Sequence, residues 1–315
     1  MMNLYAGEKV SRYGFPDGHP FSPQRFDAFW EAFLKRDLDK NSQISIRKPI
    51  QATAAQIQLF HSKHYIEKVK QLSVVGEGYL DGGDTPAYPG VYEAAAYVVG
   101  SALQASNDIM QQVCDNAFVP IAGLHHAAPE YASGFCVFND CGVVVNHLFE
   151  EFHLSRVAYV DIDAHHGDGV YYGFESDPRL IFADLHEDGR YLFPGTGRED
   201  ECGIGEGKGY KLNIPMPKFS SDSEFFTQFE RVIAFLESHK PEFIILQCGA
   251  DSIKGDPLTH MCYSPDAHYH ATVKLKEVAH TLGHNRLLCL GGGGYNLQNI
   301  AATWCEVVRA LVDEK

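Results

Sequence analysis

The sequence predicts an α/β fold with a mainly parallel sheet covered by helices. Short apolar runs alternate along the chain with longer segments whose apolar residues recur at helical spacing, and this alternation is typical of parallel sheets. Unusual polar residues follow several of the apolar runs, at the strand ends where such sheets bind ligands. No internal repeat or linker-like tract divides the 315 residues, so we expect one domain over residues 1–315.

The individual elements follow from the same pattern. Five apolar runs are predicted to be buried strands, and they cover residues 117–122, 156–162, 180–185, 243–249 and 286–290. Five longer segments have helical spacing and cover residues 92–110, 140–152, 223–238, 265–282 and 299–312. Residues 1–50 are rich in glycine, proline and aromatic side chains, and we expect loops there plus one helix near residues 23–34.

The composition narrows the class of protein and its surroundings. Hydrophobic residues make up 45% of the chain, which is enough for a large core. The formal net charge is −15, which disfavours a nucleic-acid partner and would attract a cationic substrate, although solubility also explains an acidic surface. The eight cysteines include no CxxC pair, so we expect reduced thiols and a cytoplasmic location. No apolar span of signal or membrane length occurs, and we expect no membrane partner.

The densest cluster of polar residues directly follows a predicted strand and reads Asp-Ile-Asp-Ala-His-His-Gly-Asp. Side chains alternate along an extended chain, so Asp161, Asp163 and His165 share one face. Unpaired charges beside a buried strand are costly, and a carboxylate and an imidazole two residues apart can hold one ion. Catalytic zinc usually takes three protein ligands. Asp251, after another predicted strand, is the predicted third ligand, and a turn or strand-end cap is its alternative role.

A tandem histidine pair and a tyrosine complete the predicted site. His125 and His126 follow another predicted strand, and each imidazole needs an acceptor that fixes its tautomer. Asp161 and Asp168 are not needed as metal ligands and are the predicted acceptors for the two imidazoles. The alternative is that the histidines are polar loop residues, which is the more common role of an isolated histidine pair. Tyr295 follows four glycines, which permit close backbone approach, and its hydroxyl could hydrogen-bond an oxyanion or simply pack. A phosphate loop is disfavoured because the GxxxxGK pattern is missing.

Six segments together resemble the zinc-dependent histone deacetylase family, which also includes acetoin-utilisation proteins and acetylpolyamine amidohydrolases. The segments occur in the family's order and cover residues 123–127, 134–140, 161–169, 193–197, 249–257 and 291–297. The resemblance implies the arginase–deacetylase fold, a mainly parallel eight-stranded sheet between helices. It also implies one zinc ion per chain, held by Asp163, His165 and Asp251.

The resemblance assigns roles to the remaining catalytic candidates. It implies that His126 is the general base and general acid, that His125 gives electrostatic support, and that Tyr295 polarises the acyl carbonyl. Asp161 and Asp168 match the carboxylates that lie behind His125 and His126. The implied reaction is hydrolysis of the amide bond of an acylated amine.

The predicted substrate contacts surround a narrow tunnel. The resemblance implies aromatic tunnel walls at Phe135 and Phe193, with Gly134 beside the first, and a rim aspartate at Asp84. Leu258 lies where polyamine-selective members can carry a glutamate. This difference favours acetyl-lysine of proteins or peptides as the substrate, with an acetylpolyamine as the alternative.

Members of the family also bind monovalent cations, and the resemblance implies one or two potassium sites. The first would use Asp161, Asp163, His165, Asp184 and Leu185. The second would use mainly backbone oxygens, from Phe174, Asp177, Leu180 and Tyr210. Asp184 stands where serine is frequent, and the extra carboxylate could strengthen the first site or change its ligands.

Two other classes of function stay open from the residues alone. A binuclear ureohydrolase on the same fold would hold two manganese ions, but Ile253 stands where a further ligand after Asp251 could have been, which favours one metal. A non-catalytic acyl-amine binding protein would need neither a base at His126 nor a donor at Tyr295. Among the polar residues of the metal motif, His166 alone has no predicted role.

Overall fold

The sheet of this protein has eight strands, and a computed structural model describes it over residues 1–16 and 18–313. The strands are β1 (Met2–Tyr5), β2 (Ile44–Arg47), β3 (Asn116–Val119), β4 (Val157–Asp161), β5 (Leu180–Glu187), β6 (Lys211–Met216), β7 (Phe243–Gln247) and β8 (Leu287–Leu290). Their spatial order is β2-β1-β3-β8-β7-β4-β5-β6. Every neighbouring pair is parallel, as the alternation of strands and helices predicts.

Helices connect the strands and cover the sheet. They are α1 (Glu8–Ser11), α2 (Gln24–Lys35), α3 (Ala54–Ile57), α4 (Lys63–Val75), α5 (Val91–Met110), α6 (Asp140–Glu151), α7 (Asp168–Gly173), α8 (Asp222–His239), α9 (Pro265–Thr281) and α10 (Leu297–Val312). Three short 3₁₀ turns cover Leu38–Lys40, Gly205–Gly207 and Ala250–Ser252. Helix α10 packs against α2 and α9, and α5 packs against α4 and α6. No helix in the described part of the chain is long and apolar enough to cross a membrane.

All five predicted strands are present, with shifted bounds. The first predicted run, 117–122, becomes the shorter β3, because Pro120 follows Val119 and has no amide hydrogen for the ladder. All five residues of β4 are buried, as expected for a central parallel strand whose two faces both meet helices. The predicted helices are also present, and the one expected near residues 23–34 is α2.

The expectation of loops and one helix in residues 1–50 is wrong, because β1 and β2 also lie there. Each has four residues and they pair with each other, while β1 also pairs with β3. Strand β1 is fully buried, whereas the edge strand β2 is half-exposed. Runs this short have no distinct periodicity, so their apolar residues could not be separated from the surrounding aromatic loops.

Strand β6 and the helices α1, α3, α4 and α7 are the other elements that the sequence pattern did not predict. Strand β6 carries Lys211, Asn213 and Pro215, which read as a turn or loop rather than as a buried strand. It lies at the edge of the sheet, and proline is tolerated at an edge because the missing amide faces away from the ladder.

The carboxyl ends of the five central strands meet on one edge of the sheet and position the candidate site. Strand β3 leads to the tandem histidines, β8 to the four glycines, β7 to Asp251, β4 to the metal motif and β5 to His186. Because neighbouring parallel strands end side by side, residues that are far apart in sequence converge there.

Candidate active site

Three side chains at the strand ends form a buried cluster with the spacing of a metal site. One ligand atom each from Asp163, His165 and Asp251 lies within 4.8 Å of the others. His165 Nδ1 is 3.1 Å from both Asp163 Oδ1 and Asp251 Oδ2. Ligands on a tetrahedral zinc ion are roughly 3.4 Å apart, so this donor set is close to the required geometry. It is the one such cluster of three His, Cys, Asp or Glu residues within the described residues.

Backbone and amide groups fix the outer oxygens of both carboxylates. Asp163 Oδ2 accepts hydrogen bonds from Gln247 Nε2 at 2.8 Å and from the Gly293 amide at 2.9 Å. Asp251 Oδ1 accepts one from the Ala164 amide at 2.8 Å. The inner oxygens are thereby aimed at His165, as metal ligands are when hydrogen bonds behind them hold their orientation.

The electrostatics of the cluster favour a cation among its three donors. Burial and the neighbouring Asp163 raise the pKa of Asp251 to about 7. Burial alone would lower the pKa of His165, but hydrogen bonds to Asp163 and Asp251 outweigh it and raise that pKa to about 10. Two buried carboxylates this close repel each other, and a divalent ion would replace the proton that otherwise bridges them. The residues present therefore fit a metal ion.

Two glycines leave the space that the carboxylates fill. A Cβ atom at Gly249 would lie 2.0 Å from Asp163 Oδ2, and one at Gly293 would lie 2.2 Å from Asp251 Oδ2. Both distances are far below van der Waals contact. Both positions require glycine, because the carboxylates lie too close to leave room for a side chain. Gly293 is one of the four consecutive glycines that precede Tyr295.

Each tandem histidine has a carboxylate behind it. His125 Nδ1 is 2.8 Å from Asp161 Oδ2, and His126 Nδ1 is 2.6 Å from Asp168 Oδ1. These are the pairings that the sequence analysis predicted, and each one favours the tautomer with hydrogen on Nδ1. Tyr159 donates a second hydrogen bond to Asp161 at 2.6 Å, which holds that carboxylate in place.

The two imidazoles also contact each other. His125 Nε2 and His126 Nε2 are 3.0 Å apart, and this contact is favourable only when one of them carries a hydrogen. Burial and the neighbouring His125 lower the pKa of His126 to about 4. His126 is therefore neutral and can accept a proton, and its ring lies beside the metal-ligand cluster, with the ring centroids of His126 and His165 5.9 Å apart.

Tyr295 also lies beside the cluster. Its ring centroid is 6.4 Å from that of His165 and 5.8 Å from that of Phe135. Burial and the charges of Asp251 and Asp163 raise the pKa of its hydroxyl well above the usual range, so the hydroxyl remains a hydrogen-bond donor. Asp256 Oδ2 accepts the Tyr295 amide at 2.8 Å and fixes the backbone there.

A cleft of about 260 Å³ joins these groups to the surface. Its floor carries the imidazoles and the tyrosine, and its walls and rim carry the predicted substrate contacts; the lining is Asp84, His126, Gly134, Phe135, His165, Leu192, Phe193, Leu258 and Tyr295. The Phe193 ring meets His126 edge-on at 5.1 Å. A Cβ atom at Gly134 would lie 2.5 Å from the His126 ring, so only glycine fits there. The lining is mainly apolar, and the exposed Asp84 is the acidic residue in it.

The amino-terminal segment packs against residues that line the cleft. The His19 ring packs edge-on against Phe135 at 4.6 Å, and its Nε2 lies 3.1 Å from the Asp84 carbonyl oxygen. Tyr13 donates a hydrogen bond to the Phe135 carbonyl at 2.7 Å, and Phe21 contacts Tyr295 with centroids 6.4 Å apart. No role could be predicted for this segment from the sequence.

Three further residues at the site were missed by sequence reasoning. Gln247 and Asp256 support Asp163 and Tyr295 as described above, and Arg25 is fully buried and donates to the carbonyls of Gly292 and Gly294. Gln247 could have been found as the polar residue inside an otherwise apolar strand, since buried amides need partners. Asp256 and Arg25 lie in a loop and at the start of a helix, where charged residues are ordinary.

The residues predicted for potassium fall into two places. Asp161, Asp163, His165, Asp184 and Leu185 lie together at the carboxyl ends of β4 and β5. Asp184 accepts hydrogen bonds from His186 Nδ1 at 2.7 Å and from the Gly167 amide at 2.8 Å. The second group, Phe174, Asp177, Leu180 and Tyr210, lies near the amino ends of β5 and β6.

His166 points away from the metal-ligand cluster. Its Nδ1 is 2.8 Å from Thr196 Oγ1, and its ring lies beside that of His186, with centroids 4.8 Å apart. His186 Nε2 is 2.8 Å from the Gly197 carbonyl oxygen. The two histidines therefore anchor the loop that carries Phe193.

Comparison with known proteins identifies the class that this fold and site define. The histone deacetylase domain family matches residues 19–311, and the chain belongs to the histone deacetylase family. It is a deacetylase-type hydrolase. The expected arginase–deacetylase fold is confirmed by similarity to the crystal structure of the HDA15 HD domain, with a TM-score of 0.90 and 26% identity, covering 98% of this chain and 87% of that one.

Curated bacterial relatives are more similar in sequence. The acetoin utilization protein AcuC of Staphylococcus xylosus is 33% identical over 99% of this chain and 82% of that protein. AcuC of Bacillus subtilis (strain 168) is 35% identical over 94% of this chain and 79% of that protein. This similarity extends over nearly the whole chain, so it includes the amino-terminal segment at the cleft entrance.

Proposed function

We propose that the protein is a zinc-dependent amidohydrolase that removes acetyl or other acyl groups from the lysine side chains of proteins or peptides. The observation that carries the proposal is the convergence, at one cleft, of a three-ligand metal cluster, a carboxylate-paired histidine and a tyrosine hydroxyl. Family membership supports deacetylation as the reaction.

The proposed mechanism assigns one task to each group. A zinc ion held by Asp163, His165 and Asp251 would polarise the acyl carbonyl and lower the pKa of the attacking water. His126, neutral and oriented by Asp168, takes the proton of that water and then delivers it to the leaving amine. The Tyr295 hydroxyl donates to the carbonyl oxygen as negative charge develops there.

The rim of the cleft supports acyl-lysine over an acetylpolyamine. Leu258, 39% exposed at the rim, offers a polyamine no charge. Asp84 is exposed, and its carboxylate suits the backbone amides of a peptide that approaches the entrance. An acetylpolyamine is the second candidate, because the acidic surface of the chain, with a net charge of −15, also attracts a free polycation.

We also propose the cofactors and the location. One zinc ion per chain is supported by the single cluster of metal-ligand spacing in the described residues. A potassium ion at Asp161, Asp163, His165, Asp184 and Leu185 is supported by burial of the Asp161 and Asp184 side chains, which are both inaccessible to solvent. A cytoplasmic location is supported by the eight free cysteines.

The test compares acetyl-lysine peptides with acetylated polyamines at equal concentrations, before and after chelation and after zinc is restored. We expect hydrolysis of the peptide that is lost with the metal and returns with it, at a kcat/KM at least about tenfold above that of the polyamine, a difference of about 1.4 kcal/mol. Faster polyamine hydrolysis would support the second candidate. Two manganese ions per chain would instead favour the ureohydrolase alternative, and binding without turnover would favour an acyl-amine binding protein.

A further inference from the structure

A buried lysine lies among the backbone oxygens predicted to hold the second potassium ion. Lys211, the first residue of β6, is 3% exposed. Its Nζ atom is 2.9 Å from the Asp177 carbonyl oxygen and 2.7 Å from the Leu180 carbonyl oxygen. Both carbonyls belong to the predicted group of potassium ligands. The ammonium group therefore occupies the position in which these oxygens would meet a free ion.

The other two oxygens of that group have partners of their own. The Tyr210 carbonyl accepts the Phe182 amide at 2.9 Å, as part of the pairing of β5 with β6. The Phe174 carbonyl accepts the Asp177 amide at 3.0 Å. The residues present do not fit a second potassium ion beside the lysine, because two cations would share one set of oxygens.

Lys211 is held by carbonyl dipoles rather than by a carboxylate. The nearby Asp177 carboxylate is engaged by Arg179, whose Nη2 is 2.6 Å from Asp177 Oδ2. Burial lowers the pKa of Lys211 to about 8, although Asp177 and Glu175 oppose this shift, so the group is still mainly charged at pH 7. A ring of carbonyl oxygens is the environment that proteins build for potassium, and an ammonium group can donate up to three hydrogen bonds to such oxygens.

We infer that Lys211 replaces the second potassium ion with a tethered ammonium group, so that the chain takes up at most one monovalent cation. The replacement makes the loop between α7 and β5 independent of potassium concentration. This inference concerns ion binding and stability, and it holds for any acylated amine that the active site hydrolyses.

The test removes the tether and supplies the ion. We expect the melting temperature of Lys211→Ala to fall by about 3–6 °C, because two buried carbonyls lose their partner. Potassium chloride should restore at least half of this loss, whereas choline chloride at the same ionic strength should not, since it screens charge equally. The potassium-specific gain in melting temperature should be larger for Lys211→Ala than for the wild type. Any potassium ion at the first site would stabilise both proteins and cannot cause such a difference.

Two matched variants and a structural measurement complete the experiment. Lys211→Met keeps the unbranched shape and most of the length of the side chain and fills most of the space, so we expect it to be destabilised without rescue by potassium. Lys208→Ala removes an exposed lysine nearby and should behave as the wild type. Crystals soaked in thallium(I) should show anomalous density at the Asp177 and Leu180 carbonyls in Lys211→Ala and not in the wild type. Thallium at these carbonyls in the wild type, or no potassium-specific rescue of Lys211→Ala, would overturn the inference.

Discussion

The substitution Gly249→Ala tests the metal site without touching any ligand. A methyl group at this position would lie 2.0 Å from Asp163 Oδ2, and ordinary contact begins at 3.4 Å. The carboxylate, the backbone or both must therefore yield by about 1.4 Å, whereas metal–ligand distances tolerate only about 0.2 Å. The backbone at Gly249, with φ −54° and ψ 133°, is accessible to alanine, so the clash is the sole obstacle.

We expect Gly249→Ala to weaken zinc binding by at least about 100-fold, or about 2.8 kcal/mol. The Gly249 amide also donates to Gln247 Oε1 at 2.8 Å, and Gln247 in turn holds Asp163, so a shift at Gly249 also disturbs this support of the ligand. Zinc content is measured after dialysis against graded concentrations of a chelator, with circular dichroism to verify the fold. Gly82→Ala, at an exposed glycine with open space around it, is the matched control. Wild-type zinc retention by Gly249→Ala would refute this geometry of the site.

Two further predictions concern the same cluster. Tyr295→Phe should lower kcat by about 10²–10³ while zinc content is unchanged, because only the hydroxyl that donates to the developing oxyanion is lost; a near-normal rate would exclude that role. Zinc binding at pH 7 should release at least about one proton per ion, because the pKa of His165 in the metal-free site is about 10 and its proton must leave. Apparent zinc affinity should accordingly fall as the pH is lowered. Calorimetry in buffers of different ionisation enthalpy measures the release, and heats that are independent of the buffer would contradict it.

The predictable part of the site is the part encoded by local spacing. Asp163 and His165 are two positions apart, just beyond the end of β4, so their proximity could be predicted from local spacing alone. Asp251 and the tandem histidines could be placed because each follows an apolar run, and the ends of parallel strands meet at one edge. The alternation of runs and helical segments was likewise sufficient for the parallel sheet, although β6 was hidden by its lysine, asparagine and proline.

The residues that sequence reasoning missed act through contacts between distant segments. His19 reaches Asp84 and Phe135, and Arg25 reaches the glycines after β8. Neither has a local pattern that distinguishes it from a loop histidine or a helix arginine. Lys211 is similar, because only the structure reveals that a charged residue at the start of a strand is buried against the carbonyls of a preceding loop.

Positive charge is proposed to be held in different ways at the two ends of β5. At the carboxyl end, burial and the neighbouring Asp184 raise the pKa of Asp161 well above its usual range, so two buried carboxylates favour a cation between them. One Asp184 oxygen is occupied by His186 and the other by the Gly167 amide, which leaves the backbone oxygens nearby for an exchangeable ion. At the amino end, Lys211 supplies the positive charge covalently. Substitutions at Asp184 and at Lys211 should therefore change the potassium dependence of the melting temperature in different ways, which would distinguish the two ends of the strand.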